Sequence, residues 1–494
     1  MRPSLPHLSS SSGRSSRSSF ESTASISSVT PLTPNFNHAD LEKHSFSSED
    51  NLRDAIAQDL AILQPVEEHY HRQRPWWLFS MIWAHQIWWI LTLLGNLPLF
   101  FHVARLSRSP SRTSFIAQAS LANLTLAVLV RNELLLGLLY WLVSMFPFRR
   151  FYAHRMLHSI GGLHVGCALA TFGWVVLYVA EVGMEVNLSS TLDVALLSTA
   201  LILPVGITVI IGFALRPIRE RYHNAWEYTH RYVGWFVVAD LIVHIVIKAF
   251  TLASPTELFY TSLPYFTAIS VISIFYVWFT VCHARISIRA NKSVAVLTFP
   301  GTPTMRSGTF ARISRDGREW HASSVAMTDL EKKEFSLIVA RAGDWTTKLI
   351  SDVLDRRGPG RMWIRGVQAP GFMYMHRAYK KVVTVCTGAG IAPALPHIEQ
   401  ATSNIMLIWI AKNHRKTYGE AVWKAVTSNL PANQLILHDT GESGRPDIGS
   451  LIERAAKAHD AEAVFVVSND PYTRLCASIC WRKGLRCYGA TRDS

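Results

Sequence analysis

Long apolar runs separated by short polar stretches fill the chain between Trp76 and Cys282. Six runs are long enough to span a bilayer as helices, and they cover residues 82–103, 116–146, 156–180, 192–215, 227–250 and 261–282. The second run is too long for one straight span and carries Arg131 and Glu133. Because residues two apart do not face each other on a helix, each needs its own partner or the helix breaks there. The pattern predicts a six-span α-helical membrane bundle.

The periodicity changes after about residue 286. Short alternating segments such as Ser293–Phe299 and Phe335–Arg341, separated by Gly and Pro turns, predict a small antiparallel β-barrel. From Lys380 onward, apolar strands alternate with amphipathic segments, and the strands are VVTVC, IMLIWIA, QLILHD and AVFVVS. That alternation is typical of an α/β, Rossmann-like parallel sheet.

These patterns divide the chain into four parts. The first 75 residues are a Ser-rich, disordered cytosolic tail with a candidate surface helix at its end. This tail lacks the apolar core of a cleaved secretory signal. The parts that follow are the helical bundle, the barrel and the nucleotide-binding domain, at residues 76–285, 286–378 and 379–494.

The formal net charge is +14, which could indicate a nucleic-acid partner. The basic residues instead flank apolar runs, as at Arg149–Arg155 and Arg216–Arg221. The loops at Glu181–Asp193 and Thr251–Ser262 are acidic or nearly neutral, so the positive-inside rule places both termini in the cytosol. We therefore expect a multi-pass protein of the plasma membrane that contacts membrane lipid and no nucleic acid. Asn187 begins a glycosylation sequon in an outer loop.

A hydrophobic helix from Trp226 to His244 carries two histidines, His230 and His244, fourteen residues apart. At about 100° and about 1.5 Å per residue, this spacing returns to nearly the same face roughly 21 Å away. Ionisable residues inside membranes are scarce and functional by default. The spacing favours a ladder of two haem groups, and the alternative is two polar residues buried in a packed bundle.

A second candidate site lies in Lys381–Pro393, where an apolar strand runs into Gly388-Ala389-Gly390. Glycines allow positive φ and let backbone N–H groups approach a pyrophosphate at the start of the next helix. Pro393 stands where the usual dinucleotide fingerprint has its third Gly, so an ordinary tight turn is the alternative. Further on, Gly444 and Arg445 follow another strand. The Arg445 guanidinium is either a partner for a cofactor phosphate or a solvated surface group.

These pieces, in this order, resemble the ferric reductase and NADPH oxidase superfamily of transmembrane flavocytochromes. Within it they most resemble the fungal TmpA-like integral membrane flavoproteins. Glu319–Ser324 resembles the superfamily's flavin motif, Arg341–Thr346 resembles the segment around the flavin diphosphate, and Gly366–Gly371 falls at the barrel end. GAGIAP resembles its nicotinamide loop, and LVRNELL, HSIGGLHVGCA and GRPD are similar to TmpA-like stretches. The resemblance covers about residues 75–494.

The resemblance implies a ferredoxin-reductase-like module, in which the barrel holds FAD and the parallel sheet holds NADP or NAD. The FAD residues would be His321, Ser323, Ser324, Arg341, Gly343, Trp345 and Thr346. The nicotinamide residues would be Gly388, Ala389, Gly390, Ile391, Pro393, Gly444 and Arg445. The superfamily's Pro and Phe are replaced in the flavin motif, and Tyr488 is the aromatic nearest to the place where members stack one on the flavin.

The resemblance also implies haem b, with one histidine from the third span and one from the fifth for each iron. His158 is the expected partner of His230, because a glycine follows each of them by four residues. His244 is the other ligand from the fifth span, but the residue fourteen after His158 is not a histidine. The lower-ranked alternatives in the third span are His154 and His164.

The implied function is a transmembrane oxidoreductase that passes electrons from cytosolic NAD(P)H through FAD and haem to an acceptor at or across the membrane. The acceptor would be ferric ion, oxygen or a small metabolite. This electron transfer requires no nucleophile or general base, so no catalytic residue is assigned. The alternative is a haem-poor or haem-free membrane flavoprotein in developmental signalling or secondary metabolism, or a non-catalytic relative.

Overall fold

The structure is a computed structural model that describes residues 81–145, 150–300, 307–329, 331–366 and 369–490. The predicted tail and surface helix therefore lie outside the described residues. A helical region comes first, an antiparallel sheet follows it, and a parallel sheet comes last. The predicted change from helices to antiparallel and then to parallel strands is confirmed by this order.

The helical region contains nine described α-helices. They are Met81–Arg105 (α1), Pro110–Leu129 (α2), Glu133–Met145 (α3), Arg150–His158 (α4), Gly161–Glu185 (α5), Thr191–Ala214 (α6), Arg216–Arg221 (α7), His223–Phe250 (α8) and Leu263–Phe275 (α9). Five described helices are long and apolar enough to cross a membrane, and the bent pair of α2 and α3 would make a sixth. The membrane bundle itself stays a prediction.

Helices α1 and α5 pack closely because glycines in α5 leave room for the backbone of α1. A Cβ atom on Gly162 would lie 1.9 Å from the carbonyl oxygen of His85. A Cβ atom on Gly166 would lie 2.7 Å from the Cα atom of Trp89. Further along α5, Trp174 is fully buried and stacks on Phe100 of α1 with 3.9 Å between the ring centroids. This contact places α5 at the centre of the helical region.

The second apolar run is two helices, because the chain breaks between α2 and α3 and turns by 74°. The Asn132 side chain accepts hydrogen bonds from the N–H groups of Leu134 and Leu135, which satisfies the first turn of α3. Helix α3 then packs on the β-strand parts of the chain. Tyr140 on α3 is buried and lies edge-on to Tyr374, with 6.0 Å between the ring centroids. Residues 133–145 thus form a helix that packs against the sheets and not within the helical region.

Glu133, at the start of α3, is buried and forms an ion pair with Arg312 of the antiparallel sheet, at 2.5 Å between Oε1 and Nε. Arg365 lies near this pair, and its guanidinium stacks over Trp320 at 4.8 Å. Burial, together with the nearby charge of Arg312, lowers the pKa of Arg365 to about 10, and Glu133 opposes this shift. Glu133 is therefore the carboxylate that compensates two partly buried cations.

The antiparallel sheet has eight strands in the order β1-β7-β4-β5-β6-β3-β2, and β8 pairs with β4. The strands are Val281–Arg285 (β1), Ser287–Ala290 (β2), Val294–Phe299 (β3), Thr309–Ser314 (β4), His321–Asp329 (β5), Glu334–Ala340 (β6), Arg361–Arg365 (β7) and Ala369–Pro370 (β8). Alternate residues such as Leu297, Ile313 and Leu337 face one shared core. Helix α10, Asp344–Leu354, closes this core with Leu349 and Ile350. The curled sheet corresponds to the predicted barrel.

The parallel sheet has five strands in the order β11-β10-β9-β12-β13. The strands are Lys381–Thr387 (β9), Asn404–Ala411 (β10), Leu435–Asp439 (β11), Ala463–Val467 (β12) and Cys487–Gly489 (β13). The connecting helices are Leu395–Glu399 (α11), His414–Tyr418 (α12), Glu420–Thr427 (α13), Ile448–His459 (α14) and Asp470–Arg482 (α15). Val382 and Val383 of β9 are fully buried in two different cores, one on each face of the sheet. Burial on both faces explains the continuous apolar runs of these strands.

We expect Glu133→Ala to destabilise the chain by about 1–3 kcal/mol, because it leaves the partly buried guanidinium of Arg312 without its partner. The measurement is thermal unfolding of the detergent-solubilised chain. The matched control is Glu220→Ala, which removes the carboxylate of the exposed Arg216–Glu220 pair, and it should barely change the melting temperature. Equal melting temperatures for Glu133→Ala and the control would show that the buried pair is not required.

Candidate functional site

The ends of β9 and β12 mark the point where the order of the parallel strands reverses. From β9 the chain builds outward to β10 and β11, whereas β12 and β13 lie on the other side. The Thr387 hydroxyl at the end of β9 lies 2.6 Å from the hydroxyl of Ser468, which follows β12. In open parallel sheets, ligands bind in the crevice outside the strand ends at such a reversal. This Thr–Ser contact is not predictable from the sequence, since local periodicity does not show that β9 pairs with β12.

The glycine turn after β9 lies at this crevice. Gly388 has φ of +54°, which favours glycine, and its carbonyl accepts a hydrogen bond from Trp409 Nε1 at 3.1 Å. A Cβ atom on Gly390 would lie 2.3 Å from the carbonyl oxygen of Val467. Only a residue without a side chain therefore allows the turn to lie this close to the end of β12.

The side chains of two predicted nicotinamide residues, Ile391 and Pro393, are buried in the core beneath the turn. Their place in a nucleotide site stays a prediction. Gly388, Ala389 and Gly390 are partly exposed and form a 3₁₀ turn with Ile391. The following helix, α11, starts only at Leu395. The nucleotide would therefore meet the glycine turn itself and not a long helix.

Gly444 and Arg445 lie in an exposed loop after β11. Gly444 has φ of +66°, and its carbonyl oxygen lies 2.8 Å from His438 Nε2. The loop ends at Asp447, whose carboxylate accepts two backbone N–H bonds at the start of α14. Since β11 is two strands from β9, the loop begins roughly 10 Å across the sheet from the glycine turn.

The predicted flavin motif begins β5. The His321 ring lies 4.2 Å from the Trp345 ring, and His321 Nε2 lies 2.9 Å from the Glu319 carboxylate. Ser323 and Ser324 continue β5 and pair with β4 at Ala311 and Phe310. The structure thus brings the two predicted FAD segments together, because Trp345 belongs to the second of them.

The second segment forms the start of α10. The Thr346 hydroxyl oxygen accepts hydrogen bonds from the N–H groups of Ala342 and Gly343, at 3.0 Å each. Arg341 and Gly343 are exposed, and a Cβ atom on Gly343 would meet nothing within 4 Å. An exposed helix start beside an arginine has the positive partial charge and the donors that a diphosphate needs. These residues therefore fit the diphosphate of FAD.

Tyr488 does not reach a flavin, although the resemblance made it the nearest aromatic candidate. Its side chain is 2% exposed and stacks on Phe465 with 5.0 Å between the ring centroids. Its hydroxyl lies 2.5 Å from the hydroxyl of Tyr379. Tyr488 therefore belongs to the core of the parallel sheet. The end of the barrel at Gly366–Gly371 falls partly outside the described residues.

The structure places His158 and His230, the expected haem pair, in different surroundings. His158 ends the separate short helix α4, and its Nε2 atom lies 3.2 Å from the carbonyl oxygen of Gly489 beside the parallel sheet. His154 is also buried on that side, 6.2 Å from the Tyr379 ring. The two α4 histidines therefore face the parallel sheet and not α8.

The other histidines do not complete the haem ladder either. His230 lies 6.1 Å from His164 between ring centroids, and His164 Nδ1 lies 2.9 Å from the Ala127 carbonyl oxygen. His244 has Nε2 at 2.9 Å from the Tyr178 hydroxyl and Nδ1 at 2.8 Å from Thr199 Oγ1. Both nitrogens of His244 already have hydrogen-bond partners, so His244 does not fit the second haem of the expected arrangement. A haem at His230, for which His164 was an alternative partner, stays a prediction.

The comparisons with known proteins identify a different set of relatives. A family model described as the C-terminal domain of adenylate-forming reductase 03009 matches residues 372–494. Adenylate-forming reductase 06235 of Coprinopsis cinerea is 29% identical over 388 residues, which are 76% of this chain and 37% of that protein. Adenylate-forming reductase 03009 of the same organism is 29% identical over 386 residues, which are again 76% of this chain and 37% of that protein. The chain thus spans about 37% of the length of the curated relatives it matches.

Solved structures are similar at a low level. Phthalate dioxygenase reductase is 15% identical, with a TM-score of 0.33, and the match covers 42% of this chain and 67% of that one. A flavohemoglobin from Malassezia yamatoensis is 12% identical, with a TM-score of 0.35, and the match covers 82% of this chain and 98% of that one. Likenesses this weak carry no functional argument.

The expected membership of the ferric reductase and NADPH oxidase superfamily is wrong, because the matching family model and both relatives are adenylate-forming reductases. The expected transmembrane electron transfer of the ferric-reductase type is wrong for the same reason. The similarity to proteins named reductases supports the coarser prediction of a reductase-like enzyme.

The two sheets meet at Glu399 of α11, whose carboxylate accepts a hydrogen bond of 3.1 Å from the Thr328 N–H of β5. Gln400 beside it donates to the Thr328 hydroxyl at 3.2 Å. Burial raises the pKa of Glu399 from its ordinary 4.5 to about 7, and the Thr328 bond opposes this shift. This contact between the two sheets is therefore sensitive to pH.

We expect Gly390→Ala to abolish or strongly weaken nicotinamide binding, because its Cβ would displace the turn from Val467. The measurement is the binding of NADPH and NADH by isothermal titration. The matched control is Gly360→Ala, since a Cβ there meets nothing within 4 Å. Binding by Gly390→Ala that equals the control would contradict the role of the turn.

We expect the wild-type chain to lose stability relative to Glu399→Gln as pH rises from about 5 to about 8. The folded pKa lies above the unfolded value, so the stabilisation by the protonated carboxyl is complete below about pH 4 and is lost as pH rises through about 7. The measurement is the melting temperature across this range. Glu442→Gln, at an exposed position, serves as the control and should follow the wild-type profile.

Proposed function

We propose that this chain is an NAD(P)H-dependent flavoprotein reductase. The observation that carries the proposal is the placement of two complementary sites in consecutive sheets. The parallel sheet presents a glycine turn at the reversal point between β9 and β12, and the antiparallel sheet presents the exposed start of α10 with Arg341. The first suits a nicotinamide nucleotide and the second suits the diphosphate of FAD.

The residues of this chain would bind and orient the two groups. Arg341, Gly343 and Thr346 lie at the start of α10 and would hold the diphosphate of FAD. His321, Ser323 and Ser324 lie along β5 beside this segment and would contact the rest of the flavin. A flavin accepts a hydride from a nicotinamide and can release its electrons singly. NADP is the expected nucleotide, with NAD as the other candidate.

The relatives support the reductase part of the proposal. Both are named reductases, and the matched C-terminal segment, residues 372–494, contains all five strands of the parallel sheet. Because this chain spans about 37% of those proteins, their formation of adenylates is not carried over to it. Oxygen and a small metabolite are the candidate electron acceptors.

We also propose that the helical region lies in a membrane, with both termini in the cytosol. Apolar side chains on α8 support this, because Phe236, Val246 and Phe250 are 58%, 50% and 61% exposed. Large exposed apolar surfaces mark membrane or protein contacts. Asn187 is exposed in the loop between α5 and α6, and its glycosylation stays a prediction, as does the plasma membrane as the location.

The test is anaerobic mixing of the purified full chain, in lipid nanodiscs, with NADPH or NADH while flavin absorbance is followed. We expect about one FAD in each chain and bleaching of its absorbance by the nucleotide. Arg341→Ala should weaken FAD binding about tenfold or more, since it removes a charged partner of the diphosphate.

The matched control is Arg357→Ala, which removes an exposed arginine beyond the other end of α10 and should leave FAD binding unchanged. Purified chain that contains no flavin and takes up none when FAD is added would overturn the proposal. Flavin that is bound but not reduced by either nucleotide would overturn its nicotinamide part.

A further inference from the structure

A partly open cavity of about 370 Å³ lies in the helical region, between α2, α5, α6 and α8, and residues between 251 and 263 also line it. Ligand pockets begin at about 300 Å³. Most of the wall is apolar, with side chains that include Leu121, Val175, Leu203, Ile207 and Leu241. A space of this size and lining suits an apolar molecule better than a group of waters, which need polar partners.

One wall of the cavity is polar because Tyr178 and His244 line it. Both side chains are nearly fully buried, at 6% and 5% exposure. The Tyr178 hydroxyl lies 2.9 Å from His244 Nε2, and His244 Nδ1 lies 2.8 Å from the Thr199 hydroxyl. Thr199 Oγ1 also lies 3.1 Å and 3.0 Å from the carbonyl oxygens of Ala195 and Leu196.

The direction of these hydrogen bonds follows from the number of protons. The Nδ1 side of His244 faces α6, where the ring also hydrogen-bonds the backbone of Leu196. Because a backbone carbonyl oxygen can only accept, Nδ1 carries the proton of the neutral ring. The other nitrogen of a neutral imidazole is an acceptor, so the Tyr178 O–H donates to His244 Nε2. The Tyr178 oxygen keeps a lone pair and can accept one further hydrogen bond from a molecule in the cavity.

The charges around the cavity favour a neutral molecule. Glu185 and Lys248 both line it and have opposite signs, and Thr113 Oγ1 donates to Glu185 at 3.4 Å. The wall at Tyr178 and His244 carries no formal charge in the hydrogen-bond arrangement given above. An anion would therefore meet a carboxylate as well as a cation, whereas a neutral hydroxyl donor matches the free lone pair of Tyr178.

We propose that this cavity binds a neutral apolar alcohol, whose hydroxyl group donates a hydrogen bond to the Tyr178 oxygen. The apolar part of the alcohol fills the space between α2, α5, α6 and α8. This binding site is separate from the glycine turn and from the start of α10. It does not depend on whether the chain reduces a flavin.

The test uses radiolabelled decanol and the full chain in nanodiscs, with binding followed by scintillation proximity. Ala117 lines the cavity, so Ala117→Phe fills it, and the signal of this variant gives the partition of decanol into lipid. Above that signal we expect saturable binding to the wild-type chain. Unlabelled decyl methyl ether, which has no hydroxyl proton, should compete about three- to tenfold more weakly than unlabelled decanol.

Tyr178→Phe should reduce the affinity for decanol to that for the ether, because the accepting oxygen is gone. The matched control is Tyr228→Phe on α8, since Tyr228 is 48% exposed and does not line the cavity. This variant should keep the preference for decanol. Flavin reduction by the nicotinamide nucleotide checks that each variant is folded, and an unchanged melting temperature provides the same check if no flavin is bound.

Three results would overturn the proposal. The first is equal competition by decanol, its methyl ether and decane, which indicates a cavity without a hydroxyl-selective wall. The second is tighter binding of decanoic acid than of decanol, which assigns the cavity to an anion. The third is haem absorbance in the purified chain that Ala117→Phe removes, which assigns the same space to haem.

Discussion

A buried carboxylate must have a partner, and the arrangement of this chain depends on how Glu133 meets that requirement. Its partner, Arg312, is 179 residues away in the antiparallel sheet. Between α2 and α3 the chain breaks and turns by 74°, and Glu133 begins α3 directly after this turn. Helix α3 packs on the sheets, and α5 belongs again to the helical region. The ion pair thus lies where the chain passes from its helical region to the sheets.

Much of the fold is predictable because its signals are local. The helical runs of α5, α6 and α8 and the strands β9, β10 and β12 have a periodicity that the sequence shows directly. Strand β13 has only three residues, Cys487–Gly489, and its apolar pattern is too short to detect. The neighbours of each strand and the bend after α2 depend on contacts between distant residues. Local periodicity contains no information about them.

The site was predictable only in part, for two physical reasons. The flavin and nicotinamide segments are short turns whose glycines and hydroxyls meet local needs, as Gly390 does against Val467. Such segments indicate a kind of turn and not a particular family. The haem assignment assumed one continuous third helix, but α4 ends at His158 and α5 starts at Gly161. The break rotates His158 away from α8, and Tyr178 lies beside His244 where a second ligand was expected.

The contact of His158 with the Gly489 carbonyl joins the last strand of the parallel sheet to the helix before α5. Only Ser159 and Ile160 separate α4 from α5. The connection between the sheet and the helical region is therefore short. The parallel sheet is thus attached, through His158 and a link of two residues, to the helix whose Trp174 lies in the core of the helical region.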